Sequence, residues 1–418
     1  MNNRFIQALT HPSFFFLFLA EALSQIAMNM MNFMLILVAY SMTNSNTAVS
    51  GIVLSFTIPA ILFGIIAGVY VDRWNKKTVL LFTNLLRALL LVTLAFLHTN
   101  LILLYSITFV ISIVTQFFIP AETPMIPVLV EKQLLLAANA LFGIALFGSV
   151  LIAYALSGPF LAWLGPRNAF FALAILYTLG AFAVTLIRVP KSAKKVLSPL
   201  KLTVFRELKD TVQLIRSIKN LYHAFFLLAL SQILILIIAV IGPGYARQIL
   251  GITIDEFPLK FVTPAVIGMG IGTFVISNYL HKMKKQKSAT IGLFVSALAI
   301  FLLPFGSQVT SRPFVHVLNH FLPHILQINI LHIMVILAAA MGFANALIFV
   351  PSNTIIQEET TDEMRGKIYG ALNAIVAVLS LLPVIVVGSL ADIFGVATVL
   401  TILAIFIALI GVFRVFFL

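Results

Sequence analysis

Two carboxylates stand where an apolar sequence has least use for them. The chain carries 13 acidic residues in 418, and Glu21 and Glu122 lie inside long apolar runs. An isolated charge in hydrocarbon costs several kcal/mol, so an ionisable side chain at that depth is a functional candidate by default. Gln25, Asn29 and Asn32 follow Glu21 at i+4, i+8 and i+11, which sets all four on one face of a helix. Glu122 comes two residues after Pro120 and just ahead of Pro124 and Pro127. Prolines free backbone carbonyls and kink a helix, and a kinked helix bearing a carboxyl suits a gate. A desolvated carboxyl can bind and release a proton in the physiological range, which makes Glu21 and Glu122 proton-coupling candidates. The competing reading is a helix–helix hydrogen bond. Arg87, also within an apolar run, would either neutralise one of these carboxylates or support packing beside a basic loop. Gln232, Asn345, Asn353 and Asn373 add polar candidates, with Asn353 placed two residues after Pro351 as Glu122 is after Pro120.

Other chemistry is sparse. Zero cysteines exclude disulfides, thiolate metal sites and cysteine nucleophiles. His316, His320 and His324 share a four-residue spacing that could align three imidazoles. Pro313 and Pro323 interrupt that segment and no carboxylate completes a set, so an outer loop is the expectation and no metal site is assigned. Glu358, Glu359, Asp362 and Glu363 read as solvated or helix-capping residues of an inner loop. Nucleophile elbow, phosphate-cradling Gly-Lys-Ser loop and His-Glu-x-x-His are all missing from the sequence. The chain is therefore not expected to be an enzyme or to bind a cofactor, and an ion gradient must drive any concentrative work.

Elements able to hold such groups follow from composition. The sequence is 61% hydrophobic and 9% charged, with a mean hydropathy of +1.12, whereas soluble domains carry about 25% charged residues. A helix crosses the hydrocarbon core with about 20 apolar residues. Twelve windows meet that length: 13–40, 49–71, 78–97, 101–130, 134–164, 168–189, 221–241, 261–280, 289–308, 328–350, 367–390 and 395–417. The two longest, 101–130 and 134–164, should tilt or project past the bilayer, and the stretch 309–328 is ambiguous. The first window is too long for a cleavable signal and lacks a small-residue cleavage site.

Basic residues set the orientation. With a cytoplasmic N-terminus, 21 of the 26 Lys and Arg residues fall inside; Arg167, Arg247, Lys260 and Arg312 fall outside and Arg87 within the third window. That asymmetry is the positive-inside pattern, and it puts both termini in the cytoplasm. It also accounts for the net charge of +13 without nucleic acid, because the charge is spread over short loops.

The apolar pattern breaks once. Residues 190–220 form a basic linker in which Val204, Leu208, Val212, Ile215 and Ile218 have the spacing of an amphipathic surface helix. On either side the sequence repeats weakly. Ala22-Leu23-Ser24-Gln25-Ile26 recurs as Ala229-Leu230-Ser231-Gln232-Ile233, Phe118-Ile119-Pro120 with Thr123 as Phe349-Val350-Pro351 with Thr354, and Gly158 and Gly165 as Gly388 and Gly395. The basic loop from Tyr70 to Lys77 aligns with that from Tyr279 to Gln286. Duplicated halves, here 1–189 and 221–418, are the sequence mark of a transporter that alternates access.

Gly68-Val69-Tyr70-Val71-Asp72-Arg73-Trp74-Asn75-Lys76-Lys77 resembles the signature loop of the major facilitator superfamily, G-x-x-x-D-R-x-G-R-K. Asn84 with Arg87, Phe118-x-Pro120-Ala121 leading to Pro127-x-Leu129-Val130, Ala138-Asn139-Ala140-Leu141 and Arg365-Gly366-Lys367 are similar to the drug:proton antiporter branch of macrolide-efflux and enterobactin-exporter type. The resemblance covers essentially the whole chain. It implies an all-α integral membrane fold of twelve transmembrane helices in two pseudo-symmetric six-helix halves, with spans 1, 4, 7 and 10 lining a central cavity. It also implies that Asp72 and Arg73 act as a latch during the transport cycle, anchored by Lys76 and Lys77. Physically, a carboxylate there can accept hydrogen bonds from a neighbouring helix start. Asn75 stands where the family has glycine and is expected to take a left-handed turn. Gly158-Pro159 is similar to part of the antiporter motif, although Phe160, Leu161 and Ala162 replace the glycines that follow. The expected function is export of a small, amphiphilic molecule by proton antiport across a bacterial inner membrane. The chain would work as a monomer, with substrate, protons and membrane lipids as its partners. A lipid or lysolipid translocator on the same fold, and a non-transporting receptor or scaffold, are the alternatives.

Overall fold

The computed structural model describes residues 4–189, 204–280, 283–305 and 329–417, and the regular structure among them is helical. Eleven stretches are long and apolar enough to cross a membrane. In hydrocarbon only a helix or a closed barrel satisfies every backbone N–H and C=O, and apolar windows of about 20 residues or more have the length of a helix, not the roughly 9–11 of a barrel strand. The chain divides into two compact units, Met1–Met42 with Gly51–Val204, and Thr43–Ser50 with Phe205–Leu418.

The first unit begins with the short helix α1 (Arg4–Leu9) and continues as α2 (Pro12–Thr43), α3 (Asn46–Arg73, its first turn counted with the second unit), α4 (Lys76–Leu97) and α5 (Leu101–Glu122). A 3₁₀ turn over Thr123–Met125 and the four-residue α6 (Ile126–Leu129) lead to α7 (Leu135–Leu186). The expected window 101–130 remains one apolar stretch, Leu101–Leu129, long enough to cross, but its helical geometry changes on the way. Its helix ends at Glu122 because Pro124 and Pro127 withhold N–H groups, and it then breaks into short turns. The side chain of Asn100 caps α5 by accepting from the amides of Ile102 and Leu103 at 3.0 and 3.1 Å.

The 52 residues of α7 contain one non-helical residue, Gly165, at φ 68° and ψ 164°, followed by Pro166. A straight 52-residue helix would measure about 78 Å, far beyond the roughly 30 Å hydrocarbon core. The break makes two spans of it, and twelve crossings result among the described residues. In the second unit Gly395 has φ 83° and ψ 151° between two further helices. Both glycines sit in a region of backbone space essentially closed to other residues. They are the residues the internal repeat aligns, so the two stretches of chain turn by the same device.

The described part of the linker contains α8 (Val204–Ser217), and residues 190–203 lie outside the described residues. Next come α9 (Lys219–Tyr245), α10 (Thr263–Asn278), α11 (Lys285–Leu302), α12 (Ile330–Glu358), α13 (Asp362–Phe394) and α14 (Val396–Phe417). The ambiguous stretch 309–328, with His316, His320 and His324, also lies outside the described residues.

Each unit has its own apolar interior. In the first, Phe14, Leu17, Leu80, Phe118, Ala138 and Val184 cluster from α2, α4, α5 and α7. In the second, α10 packs on α12 through small residues. A Cβ on Gly268 would collide with the Ala339 carbonyl, and one on Gly342 with that of Ala265. Close backbone approach through small residues is how membrane helices gain van der Waals contact when lipid removes the hydrophobic drive.

Candidate functional site

Glu21 is 4% exposed and sits on the buried face of α2. One turn further, Gln25 Nε2 donates to Glu21 Oε1 at 2.9 Å. Asn29 continues the stripe, donating to the Gln25 carbonyl at 2.9 Å and to Ser149 Oγ of α7 at 3.2 Å. The i, i+4 spacing read from the sequence therefore builds a hydrogen-bonded ladder inside the first unit. Asn32, at its end, is half-buried.

A second strand of the network comes from α4. Asn84 Oδ1 accepts from Ser24 Oγ at 2.9 Å and from Arg87 Nη2 at 2.7 Å. Arg87 Nε also donates to the Thr83 carbonyl at 3.3 Å. The guanidinium is 1% exposed and lies between two rings, 4.3 Å from the centroid of Phe118 on α5 and 4.5 Å from that of Tyr177 on α7. Desolvated cation–π contacts of this kind are worth about 2 kcal/mol or more.

Glu122 completes the cluster from the last position of α5, where Pro120 and Pro124 bracket it. It is buried, and its carboxyl adjoins that of Glu21, with Arg87 close enough to feel both. Among the described residues the ion pairs are Lys260–Glu256 and Lys285–Glu358, so Arg87 acts on the two carboxyls through space rather than by direct contact. Among the described residues, Glu21 Oε2, Glu122 Oε1, Tyr177 Oη and Asn84 Nδ2 are buried without a hydrogen-bond partner. Such atoms are costly, and here they gather around two carboxyls and one cation. The site therefore holds unused donor and acceptor capacity.

The signature loop differs from expectation at one residue. Asn75 has φ −69° and ψ 113°, an extended rather than left-handed backbone, and its side chain accepts from the Thr78 amide at 3.2 Å as the N-cap of α4. Asparagine is among the best N-caps, which explains why it serves here without a glycine's freedom. Lys76 Nζ donates to the carbonyls of Val71 and Asp72 at 3.2 and 3.0 Å. Lys77 Nζ reaches the end of α7, donating to Thr185 at 2.8 Å and Ile187 at 2.7 Å. Asp72 and Arg73 are exposed, and among the described residues a Cβ on Gly68 would meet nothing within 4 Å.

Polar candidates of the second unit form separate contacts. Asn345 donates to Ser231 Oγ at 2.8 Å, so the repeated Ser24 and Ser231 both make interhelical hydrogen bonds. Asn353 donates to the Phe349 carbonyl at 3.1 Å and accepts from Tyr369 Oη at 2.7 Å. Gln232 is half-buried and Asn373 exposed. Among the described residues no cluster of three His, Cys, Asp or Glu side chains could hold a metal.

Tyr177 and Ser149 carry no signal in the sequence beyond being polar in an apolar run, and the same holds for Asp392 of α13. Its Oδ1 accepts from the Asn46 amide at 2.7 Å and from Asn46 Nδ2 at 2.9 Å. Its Oδ2 accepts from the Thr47 amide at 2.9 Å and from Thr47 Oγ1 at 2.7 Å, and Ser45 Oγ donates to it as well. An anion at a helix N-terminus satisfies orphan amides and meets the positive end of the dipole.

The family model described as Major Facilitator Superfamily matches residues 17–322. An uncharacterized MFS-type transporter, YfiS of Bacillus subtilis (strain 168), is 22% identical over 343 residues, 81% of this chain and 77% of that protein. The nucleoside transporter NupG superposes with a TM-score of 0.71 at 14% identity, covering 96% of this chain and 98% of that one. A bacterial homologue of the lysosomal transporter Spinster gives 0.69 at 13% identity, covering 96% of each chain. A bacterial homologue of ferroportin gives 0.69 at 14%, covering 96% and 98%. At these identities the structures establish the fold alone.

Proposed function

Because the chain belongs to the major facilitator superfamily and is a secondary transporter and not an enzyme, we propose that it exports a small amphiphilic molecule in exchange for protons. The adjoining carboxyls of Glu21 and Glu122 around a single buried Arg87 carry this reading. Two carboxyls and one guanidinium balance when the pair holds one proton, and like charges that adjoin cannot both ionise cheaply. A pair that gains and loses that proton changes the charge of a buried site, which is what coupling to a proton gradient requires. Alternating access moves the site between the two sides of the membrane, with 1–189 and 221–418 as the six-helix halves and 190–220 as the linker. The Asp72–Arg73 loop would bias that equilibrium from the cytoplasmic face of a bacterial inner membrane, with both termini on the same side.

The test is proton flux in everted vesicles energised by a proton gradient, challenged with macrolides, cationic dyes, siderophores and lysolipids. The expected result is a compound that dissipates the gradient with wild type but not with Glu21→Gln or Glu122→Gln. If no compound does so while labelled lysolipid still crosses in every variant, proton antiport fails and lipid translocation replaces it.

A further inference from the structure

Helix α4 has two contrasting faces. Thr83, Asn84 and Arg87 are buried in the polar network. Phe82, Leu86 and Leu89 point the other way and are 65%, 43% and 61% exposed. In a membrane-crossing helix an exposed apolar face meets lipid. This one does not present a smooth surface. Together with Phe117 of α5 it walls a groove of about 1050 Å³ that ends at Arg73 and Trp74 of the signature loop.

The groove has the dimensions and polarity of one lipid molecule. From Asn75 to Leu89 the lining follows α4 for about 21 Å at 1.5 Å per residue. A bilayer with its headgroups is about 40–45 Å thick, so one leaflet's lipid is roughly 20–22 Å long. The volume lies just above the roughly 300–1,000 Å³ of pockets that hold drug-sized ligands, as paired acyl chains demand. Apolar walls run along the length, and among the described residues the one charged lining residue, Arg73, stands at the loop end. Trp74 stacks on Phe117 there, with ring centroids 6.0 Å apart and planes at 14°. Indole rings favour the headgroup level, so the aromatic pair marks the depth at which chains give way to headgroup. A guanidinium at that level matches a phosphodiester in charge and in its paired donors.

We propose that this groove is a binding site for one anionic phospholipid, its acyl chains along Phe82, Leu86 and Leu89 and its phosphate at Arg73. By the positive-inside pattern the lipid belongs to the inner leaflet. Its occupancy would link the charge of that leaflet to the loop that the resemblance casts as a latch.

Native mass spectrometry of the full chain, after detergent exchange into equal amounts of dioleoyl phosphatidylglycerol and dioleoyl phosphatidylcholine, tests the site. Wild type should retain one phosphatidylglycerol in preference to phosphatidylcholine. Arg73→Gln should lose about fivefold of that preference, the effect of one basic residue at an anionic surface. Leu86→Trp and Leu89→Trp fill the groove from the lipid side and should lose the retained lipid altogether, with thermal unfolding confirming that each is folded. Equal retention of the two lipids by wild type would overturn the proposal, as would unchanged retention in both tryptophan variants. A chain dimer that the tryptophan variants abolish, with no lipid retained, would overturn it too and assign the groove to a second copy instead.

Discussion

Replacing Arg87 by methionine keeps much of the side-chain volume between Phe118 and Tyr177 but removes the only cation within reach of Glu21 and Glu122 among the described residues. Two desolvated cation–π contacts, at 4.3 and 4.5 Å, contribute about 2 kcal/mol or more each. The hydrogen bond to Asn84 at 2.7 Å has a charged donor and adds about 1.5–3 kcal/mol. Against this stands the cost of burying the guanidinium, so the net loss should fall near the 3–5 kcal/mol typical of breaking a buried charged network by removing one partner. For a unit of 150–250 residues about 2–4 °C accompanies each kcal/mol, and a fall of roughly 6–20 °C in the unfolding midpoint of the detergent-solubilised protein is expected. The sharper signature is coupling. Glu122→Gln removes one of the carboxyls left uncompensated by Arg87→Met, so the double variant should be more stable than the sum of the two single losses by about 1–2 kcal/mol, within the range for contacting groups. Thermal unfolding of wild type, both single variants and the double variant closes the cycle. Additivity within about 0.5 kcal/mol would refute the claim that Arg87 and Glu122 belong to one electrostatic site.

Gly268→Ala should disrupt the packing of α10 on α12, because its Cβ collides with the Ala339 carbonyl. Gly270→Ala in the same helix meets nothing within 4 Å among the described residues and should be tolerated. Expression yield and unfolding midpoint of the pair separate a steric cause from a loss of flexibility, with about 1–3 kcal/mol or more expected at 268. Asp392→Ala should raise hydrogen exchange at the amides of Asn46 and Thr47, which donate to it directly; unchanged protection would mean that the cap is not maintained. Asn75→Ala should cost about 1 kcal/mol and Asn75→Gly only a few tenths, as for an N-cap. A clear gain from glycine in unfolding experiments would point instead to a left-handed residue in solution.

What the sequence settles here is what depends on order along one dimension. Crossing a hydrocarbon slab needs an uninterrupted apolar length, so the spans can be counted from the chain alone. Gly165 and Gly395 are legible for a related reason, since a repeated glycine at the end of an apolar run signals a backbone turn wherever the helices later lie. The stripe from Glu21 through Gln25 to Asn29 is legible too, because helical periodicity fixes which residues share a face. Asn75 shows the limit even of local reading. Two backbone states suit asparagine, and only the start of α4 beside it decided for the extended N-cap over the left-handed turn. Contacts between helices lie further out of reach. Nothing in the spacing pairs Glu21 with Glu122, sets Arg87 between Phe118 and Tyr177, or brings Asp392 to Asn46, 346 positions away. Hydropathy gives each helix a depth in the membrane but not its neighbours or its rotation about its own axis. Those were decided by tertiary packing, and with them the charge balance of the buried site.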